Sequence, residues 1–305
     1  MAEAQLAQAP DAPKLDNVTA LTTAEHVLQS LSRRRVLHRL MHDWTARIGL
    51  VIVVLLVLVA LLAPVLTRHD PLSLDGPALE PPSWSHPFGT DRLGRDVFSR
   101  IVYGAQLSLG TALLATVLIL TLAVLVGSLS GFLGGVVDSV LMRTVDTILA
   151  FPNLLLALVV AGLFRPSLLT LMLALASVWW VGYARIVRGL VMVVRERPFI
   201  EAARVGGARR SRLLVRHILP NVLPPVIVLV TLEMGTLILA ISALNFLGLG
   251  AQPPTPEWGA MLNEGRAFFF SSPHLMLFPG LAISLAVLGF NLLGDGLRDV
   301  LDPKS

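Results

Sequence analysis

Six stretches of this chain are almost pure hydrocarbon, with charge concentrated between them. The first runs from Ile48 to Thr67: 20 residues without a charge, 15 of them Leu, Ile or Val. A helix of that length rises about 30 Å, the thickness of a bilayer's hydrocarbon core. At roughly −0.3 to −0.6 kcal/mol per such residue near the centre, insertion is favourable by several kcal/mol. A cleaved signal peptide is the rival reading, but its apolar core would span only about 7–15 residues and sit nearer the N-terminus. The next uncharged stretch, Ile101 to Val137, holds a second span at about Leu107 to Leu133. A third runs from Thr147 to Phe164 and is closed by Arg165 and Pro166. A fourth, Ser167 to Ala184, continues through Ile186, Val187 and Leu190 to Val194, with Arg185 and Arg188 placed to snorkel. The fifth, about Val222 to Leu249, contains one charge, Glu233. The sixth is about Met276 to Leu293. The pattern predicts an all-α polytopic membrane protein with six transmembrane helices.

Arginine placement predicts the orientation, because short basic loops stay on the cytoplasmic side. The N-terminal flank carries Arg33, Arg34, Arg35, Arg39 and Arg47. The stretch 185–216 has nine Arg against Glu196 and Glu201. By contrast, 68–100 balances four Arg with five acids, and 251–274 has Arg266 alone against Glu257 and Glu264. Both termini and the 195–220 loop are therefore expected in the cytoplasm, with loops 68–105 and 250–275 outside. The 134–146 stretch reads as a short loop that says nothing about orientation. Residues 1–20 lack periodicity and read as a disordered cytoplasmic tail. Residues 21–47 read as a cytoplasmic or interfacial helix, and 48–305 as the six-span domain.

Composition agrees. Hydrophobic residues make up 54% and charged residues 14%, with a mean hydropathy of +0.74. Soluble domains carry about 25% charge. Net charge is +4, and the clustered arginines mark membrane faces rather than a nucleic-acid site. The chain has no cysteine, which excludes disulfides, thiolate nucleophiles and thiolate metal sites. Its two lysines, Lys14 and Lys304, lack the glycines that would make a phosphate loop. The chain therefore does not hydrolyse ATP by that route. No His-Glu-x-x-His spacing occurs. His38 and His42 share a helix face and read as interfacial residues rather than a metal pair.

The stretch Arg197-Pro-Phe-Ile-Glu-Ala-Ala-Arg-Val-Gly-Gly-Ala208, leading on to Leu219-Pro220, has a specific physical reading. Pro198 suits a first helical turn, and Glu201 is favoured near a helix start. Ala202 and Ala203 allow a partner surface close to the backbone. Gly206 and Gly207 break the helix, and a second short helix, Ser211 to Leu219, returns to the membrane at Pro220. This predicts a rigid elbow projecting from the bilayer.

Glu201-Ala202-Ala203, Gly207 and Leu219-Pro220 resemble the Glu-Ala-Ala loop of bacterial ABC importer permeases; His217 stands where that loop usually has a hydrophobic residue. Three more motifs are similar to the dipeptide/oligopeptide/nickel branch: Gly89–Arg100, Phe246–Gly259 and Asn291–Pro303. Residues 1–40 lie outside the resemblance, and the pattern is that of the second permease of the pair. The resemblance implies a type I ABC importer permease fold in the bacterial cytoplasmic membrane. It implies a homologous second permease, two cytoplasmic ATPases and an extracytoplasmic solute-binding protein as partners. It implies no enzyme activity and no cofactor in this chain, with ATP and Mg used by the ATPases. Glu201, Ala202, Ala203, Gly207, Leu219 and Pro220 would couple to the ATPase. Pro254, Glu257 and Trp258, in a turn stiffened by Pro253 and Pro256, would help dock the binding protein.

Two features stay open at this level. Arg92, Asp96 and Arg100 are four apart, so salt-bridged helix packing is expected, with substrate contact the alternative. Glu233 lies roughly 12–20 Å into its span at 1.5 Å per residue. A charge there costs on the order of 3 kcal/mol unless it faces protein or water. It lines a pathway with Thr231 and Thr236, pairs with another chain, or is protonated. The expected cargo is a di- or oligopeptide, or a glutathione-like peptide; nickel or a metal chelate is the alternative. An ATP-independent secondary transporter is the distant one, and the chain shows no internal repeat to support it.

Overall fold

A computed structural model describes residues 43–301. The expected tail, all of the 21–47 helix before Asp43, the His38/His42 pair and the last four residues lie outside the described residues. The described part is helical, with one isolated bridge, Thr90 to Asp96. In chain order the helices are α1 (Trp44–Leu61), α2 (Val97–Leu133), α3 (Gly135–Leu149), α4 (Asn153–Gly162), α5 (Leu168–Arg195), α6 (Pro198–Val205), α7 (Leu219–Leu232), α8 (Met234–Phe246), α9 (Trp258–Gly265) and α10 (His274–Leu301). Single-turn pieces lie between some of them. Among the described residues, five helical stretches are long and apolar enough to cross a membrane, or six if the bent pair α3–α4 counts as one span.

The helices start where their caps dictate. Asp43 caps α1 through the Thr45 and Ala46 amides, and Asp96 caps α2 through the Ser99 amide at 2.7 Å. The cap at Asp96 explains why α2 begins ten residues before the expected Leu107. At 37 residues α2 is about 55 Å long, well beyond the hydrocarbon thickness. It packs most extensively along α5, with Gly127 and Gly131 set against the α5 backbone. Buried Ala, Val, Leu and Ile side chains from α2, α5, α7 and α8 form the core.

The third expected span, Thr147 to Phe164, is not one straight helix. Thr147 to Leu149 finish α3, and α4 leaves at 88° after a break at 150–152. Pro152 is the physical reason: it disfavours helical geometry at Phe151 and lacks the amide that would continue the ladder. The 134–146 stretch, read from sequence as a loop, is mostly α3. Gly134 and Gly135 adopt φ of 67° and 57°, which lets the chain reverse between α2 and α3. Asp138 and Asp146 then meet Arg188 and Arg185 of α5; Arg188 reaches the Asp138 oxygens at 2.5 and 2.6 Å. The two arginines expected to snorkel are thus held in ion pairs. The fifth expected span is also broken, at Glu233, between α7 and α8.

Loops 68–96 and 250–273 pack together at one end of the bundle, where α2 begins. The 195–218 segment lies at the other end, where Arg195 donates to the Gly131 and Phe132 carbonyls that finish α2.

Candidate functional site

The elbow forms as its sequence dictates. Pro198 opens α6, Glu201 lies in its first turn, and Gly207 closes it with φ of 81°. The Gly206, Gly207 and Ala208 amides bond back to Ala202, Arg204 and Ala203 carbonyls, so the end of α6 is well satisfied. The return is not the plain α-helix expected from Ser211 to Leu219. A single turn, Arg210–Arg212, leads into a π-helical stretch, Leu213–Ile218, and then into α7. Ile200, Leu213 and Ile218 are buried and fix the elbow to the bundle.

Its outer side is open. Glu201, Ala202, Gly207 and Pro220 are exposed, while Ala203 and Leu219 are half-buried. Phe199 and Val205 were not singled out from sequence, yet both are exposed, Val205 at 85%. With Ala202 they repeat at three-residue spacing on one side of α6. That apolar spacing inside a basic loop was the available signal. Behind α6 lies a cavity of about 690 Å³, lined by Phe132, Leu133, Arg195, Glu201, Arg204 and Arg210 among others.

At the opposite end the three residues assigned to docking separate. Pro254 is exposed beside Pro253 and Gln252. Glu257 and Trp258 are internal, at 0% and 1% exposure. Glu257 caps α9 through the Ala260 amide at 2.9 Å and accepts a 2.9 Å bond from the Ser108 hydroxyl of α2. The Trp258 indole donates to the Ile101 carbonyl at 2.9 Å. These two side chains clamp the loop to α2 and present no surface of their own. Burial pushes the Glu257 carboxyl up to about 7, against the opposing pull of its hydrogen bonds.

The charges of 91–100 are also arranged otherwise than expected. Residues 91–96 are not helical, so Arg92 does not meet Asp96 and remains exposed. Arg95 bridges Asp91 at 2.5 Å and Glu264 of α9 at 2.6 Å, and Arg100 reaches the same Glu264 oxygen at 3.1 Å. Arg95 and Arg100 are 2% and 1% exposed. Asp96 faces His86 at 3.0 Å. This is a buried charge network, with neither arginine free for a small-molecule cargo.

Glu233 is half-buried at the α7–α8 break. It lines a second cavity, about 410 Å³, between α5, α7 and α10. Thr236 is exposed and is not part of that lining. Thr231 lies in α7, and its side chain is outside the described set. Among the described residues, no group of three His, Cys, Asp or Glu side chains is placed to hold a metal ion.

Comparison with known proteins fits this architecture. The family described as binding-protein-dependent transport system inner membrane component matches residues 123–305. The N-terminal transmembrane domain of oligopeptide transport permease C matches residues 32–82, beginning somewhat before the motif resemblance does. The dipeptide transport system permease protein DppC of Alkalihalophilus pseudofirmus is 43% identical over 293 residues, covering 96% of this chain and 93% of that protein. The nickel transport system permease protein NikC of Escherichia coli K12 is 41% identical, covering 85% and 94%. The probable D,D-dipeptide transport system permease protein DdpC of the same organism is 45% identical, covering 84% and 86%. A multi-pass chain, helical through its described residues and with a projecting elbow, matched over more than half its length by that family, belongs to the binding-protein-dependent transport system inner membrane components: it is a non-catalytic permease subunit of a type I ABC importer.

Proposed function

We propose that this subunit carries di- or oligopeptides across the bacterial cytoplasmic membrane as the second of two paired permeases. Two cytoplasmic ATPases supply the work, using ATP and Mg, and an extracytoplasmic binding protein delivers the cargo. The observation that carries this reading is the elbow: an exposed apolar stripe on a well-tied short helix, in a chain without a phosphate loop of its own. Glu201, Ala202, Ala203 and Gly207 form the contact, and Leu219 and Pro220 lead the movement back into α7. ATPase closure then moves the spans as rigid bodies between two states. The elbow and both termini face the cytoplasm, and loops 68–105 and 250–275 face outward. Pro254, with Gln252 and Pro253, supplies docking surface for the binding protein. Glu233 lies on the pathway.

Glu201→Arg and Gly207→Pro are expected to abolish dialanine uptake by the reconstituted importer while the complex still assembles in the membrane. Normal uptake by either variant sinks the coupling assignment. Reporter fusions at residue 210 and at the C-terminus should read cytoplasm, and one at residue 262 outside; an outside signal at 210 overturns the orientation. Nickel is the second reading, favoured by the NikC relative and by an acidic residue inside the membrane. Parallel uptake of labelled dialanine and of nickel chloride separates the two.

A further inference from the structure

We propose that the cavity at the α7–α8 break recognises a cation, and specifically the ammonium group of a passing substrate. This assignment rests on the importer reading above and adds side chains from two further helices to Glu233. The cavity measures about 410 Å³, within the roughly 300–1,000 Å³ typical of small-molecule sites. Its polar side is Tyr183 of α5, Glu233 at the break, and Asn291 and Asp295 of α10; Ile186 and Leu229 belong to its apolar wall. Asn291 and Asp295 are four residues apart, so they share one face of α10. The Asn291 amide oxygen lies directly against Gly235, in the first turn of α8 just past the break. Among the described residues, no arginine or lysine lines the space. Among the described residues, neither Glu233 nor Asp295 takes part in an ion pair.

Glu233, at membrane depth and outside any ion pair among the described residues, needs water or a counter-charge, and the exposed Asp295 adds a second carboxylate at the rim. A cavity with low-dielectric walls focuses their field and concentrates cations by about 10- to 1,000-fold. The donor set decides between cations. An ammonium group offers three N–H donors, and Glu233, Asp295 and Asn291 bring acceptor oxygens to this lining. A directly bound metal needs a ligand cluster, and no three His, Cys, Asp or Glu side chains come together for one among the described residues. The apolar wall suits the aliphatic part of a small peptide.

The chain's lack of cysteine makes the test clean. A single Ile186→Cys reporter is placed in the full importer, with the partner subunits' cysteines replaced. Its labelling by a trimethylammonium-bearing thiosulfonate is compared with that by a sulfonate-bearing one, each normalised to a free thiol. The expected preference for the cation is about tenfold or more, falling to about unity in Glu233→Gln/Asp295→Asn. Dialanine should slow the labelling, whereas N-acetyl-dialanine and nickel chloride at matched ionic strength should not. An unreactive thiol, equal rates for the two reagents, or a preference that survives the double substitution overturns the site. Protection by nickel chloride alone overturns the ammonium assignment. If the preference holds but the unmodified importer takes up no peptide, the peptide reading fails and the cation site stands.

Discussion

The two ends of this molecule solve opposite problems with similar residues. Where α2 begins, long side chains are turned inward: Arg95, Arg100, Glu257 and Trp258 are buried, and each is tied to an element far away in sequence. At the elbow, Glu201, Arg204, Arg209, Arg210, Arg212 and Arg216 are exposed, while Ile200, Leu213 and Ile218 are buried and Ala203, Ala208 and Leu214 pack against the same core. The first end is finished, with two loops and two helices locked into one unit. The second leaves apolar and charged side chains such as Phe199, Val205 and Glu201 exposed. The proposed function, with a protein docked at the loop end and motion delivered through the elbow, calls for this asymmetry, because a soft loop end would dissipate that motion.

The asymmetry breaks most severely at Arg95. Arg95→Met removes one of two cations from a buried set that contains Asp91 and Glu264. Stripping one partner from a buried ion pair costs about 3–5 kcal/mol, because the remaining charge is left uncompensated. The purified complex should melt earlier and be recovered in lower yield. Arg92→Met, three residues away and exposed, should change stability by no more than about 0.5 kcal/mol. Equal losses from the two variants would mean that the 91–100 charges work as a surface pattern and not as a buried clamp.

A slightly smaller effect comes from Glu257, and its sign is unusual for a carboxylate. Its folded pKa is about 7, above the ordinary 4.5. Between those values the folded state holds the proton more tightly than the unfolded state does. Stability is therefore fully present below about pH 4.5, declines as pH rises, and reaches its floor above about pH 7. The span is at most about 3.5 kcal/mol, since each pKa unit is worth about 1.4 kcal/mol. Glu257→Gln cannot titrate and should flatten that part of the melting-temperature profile. A wild-type profile that rises through this window would show that the Ser108 and amide hydrogen bonds outweigh burial.

Much of the plan was legible in the chain. Runs such as Ile48 to Thr67 announce spans because hydropathy integrates over a whole helix. Pro198 and the Gly206-Gly207 pair announce the elbow because their backbone preferences are local. The misses have a common physical origin in geometry that a one-dimensional pattern does not contain. An uncharged run looks the same whether it is straight or bent by 88°; Pro152 was the visible warning inside it. Arg95 finds Glu264 across 169 residues, and Glu257 finds Ser108 across 149. Spacing within 91–100 instead suggested the local pair Arg92 and Asp96. Glu257 and Trp258 lie in a Pro-rich turn, which reads as surface until α2 is packed beneath it. Glu233 was conspicuous because one charge in an apolar run is rare, whereas Asp295 was hidden in a C-terminal motif that carries further charges.

The smallest effect sharpens the comparison most. Gly207 has φ of 81°, and a Cβ added there would meet nothing within 4 Å. Gly207→Ala therefore adds no clash; its penalty is the left-handed backbone alone, roughly 1–2 kcal/mol. Because the elbow is anchored to the core by only a few side chains, that strain should be relieved by local opening of the turn and not by unfolding of the bundle. The melting temperature should stay within a degree or two of wild type, while ATP hydrolysed per peptide transported should rise. Gly207→Asn, whose side chain tolerates this backbone better, should lie between alanine and wild type in coupling. A melting loss as large as that of Arg95→Met would show that the elbow is part of the same cooperative unit as the loop end. An unchanged coupling ratio in Gly207→Ala would show that the turn does not need its left-handed geometry to transmit force.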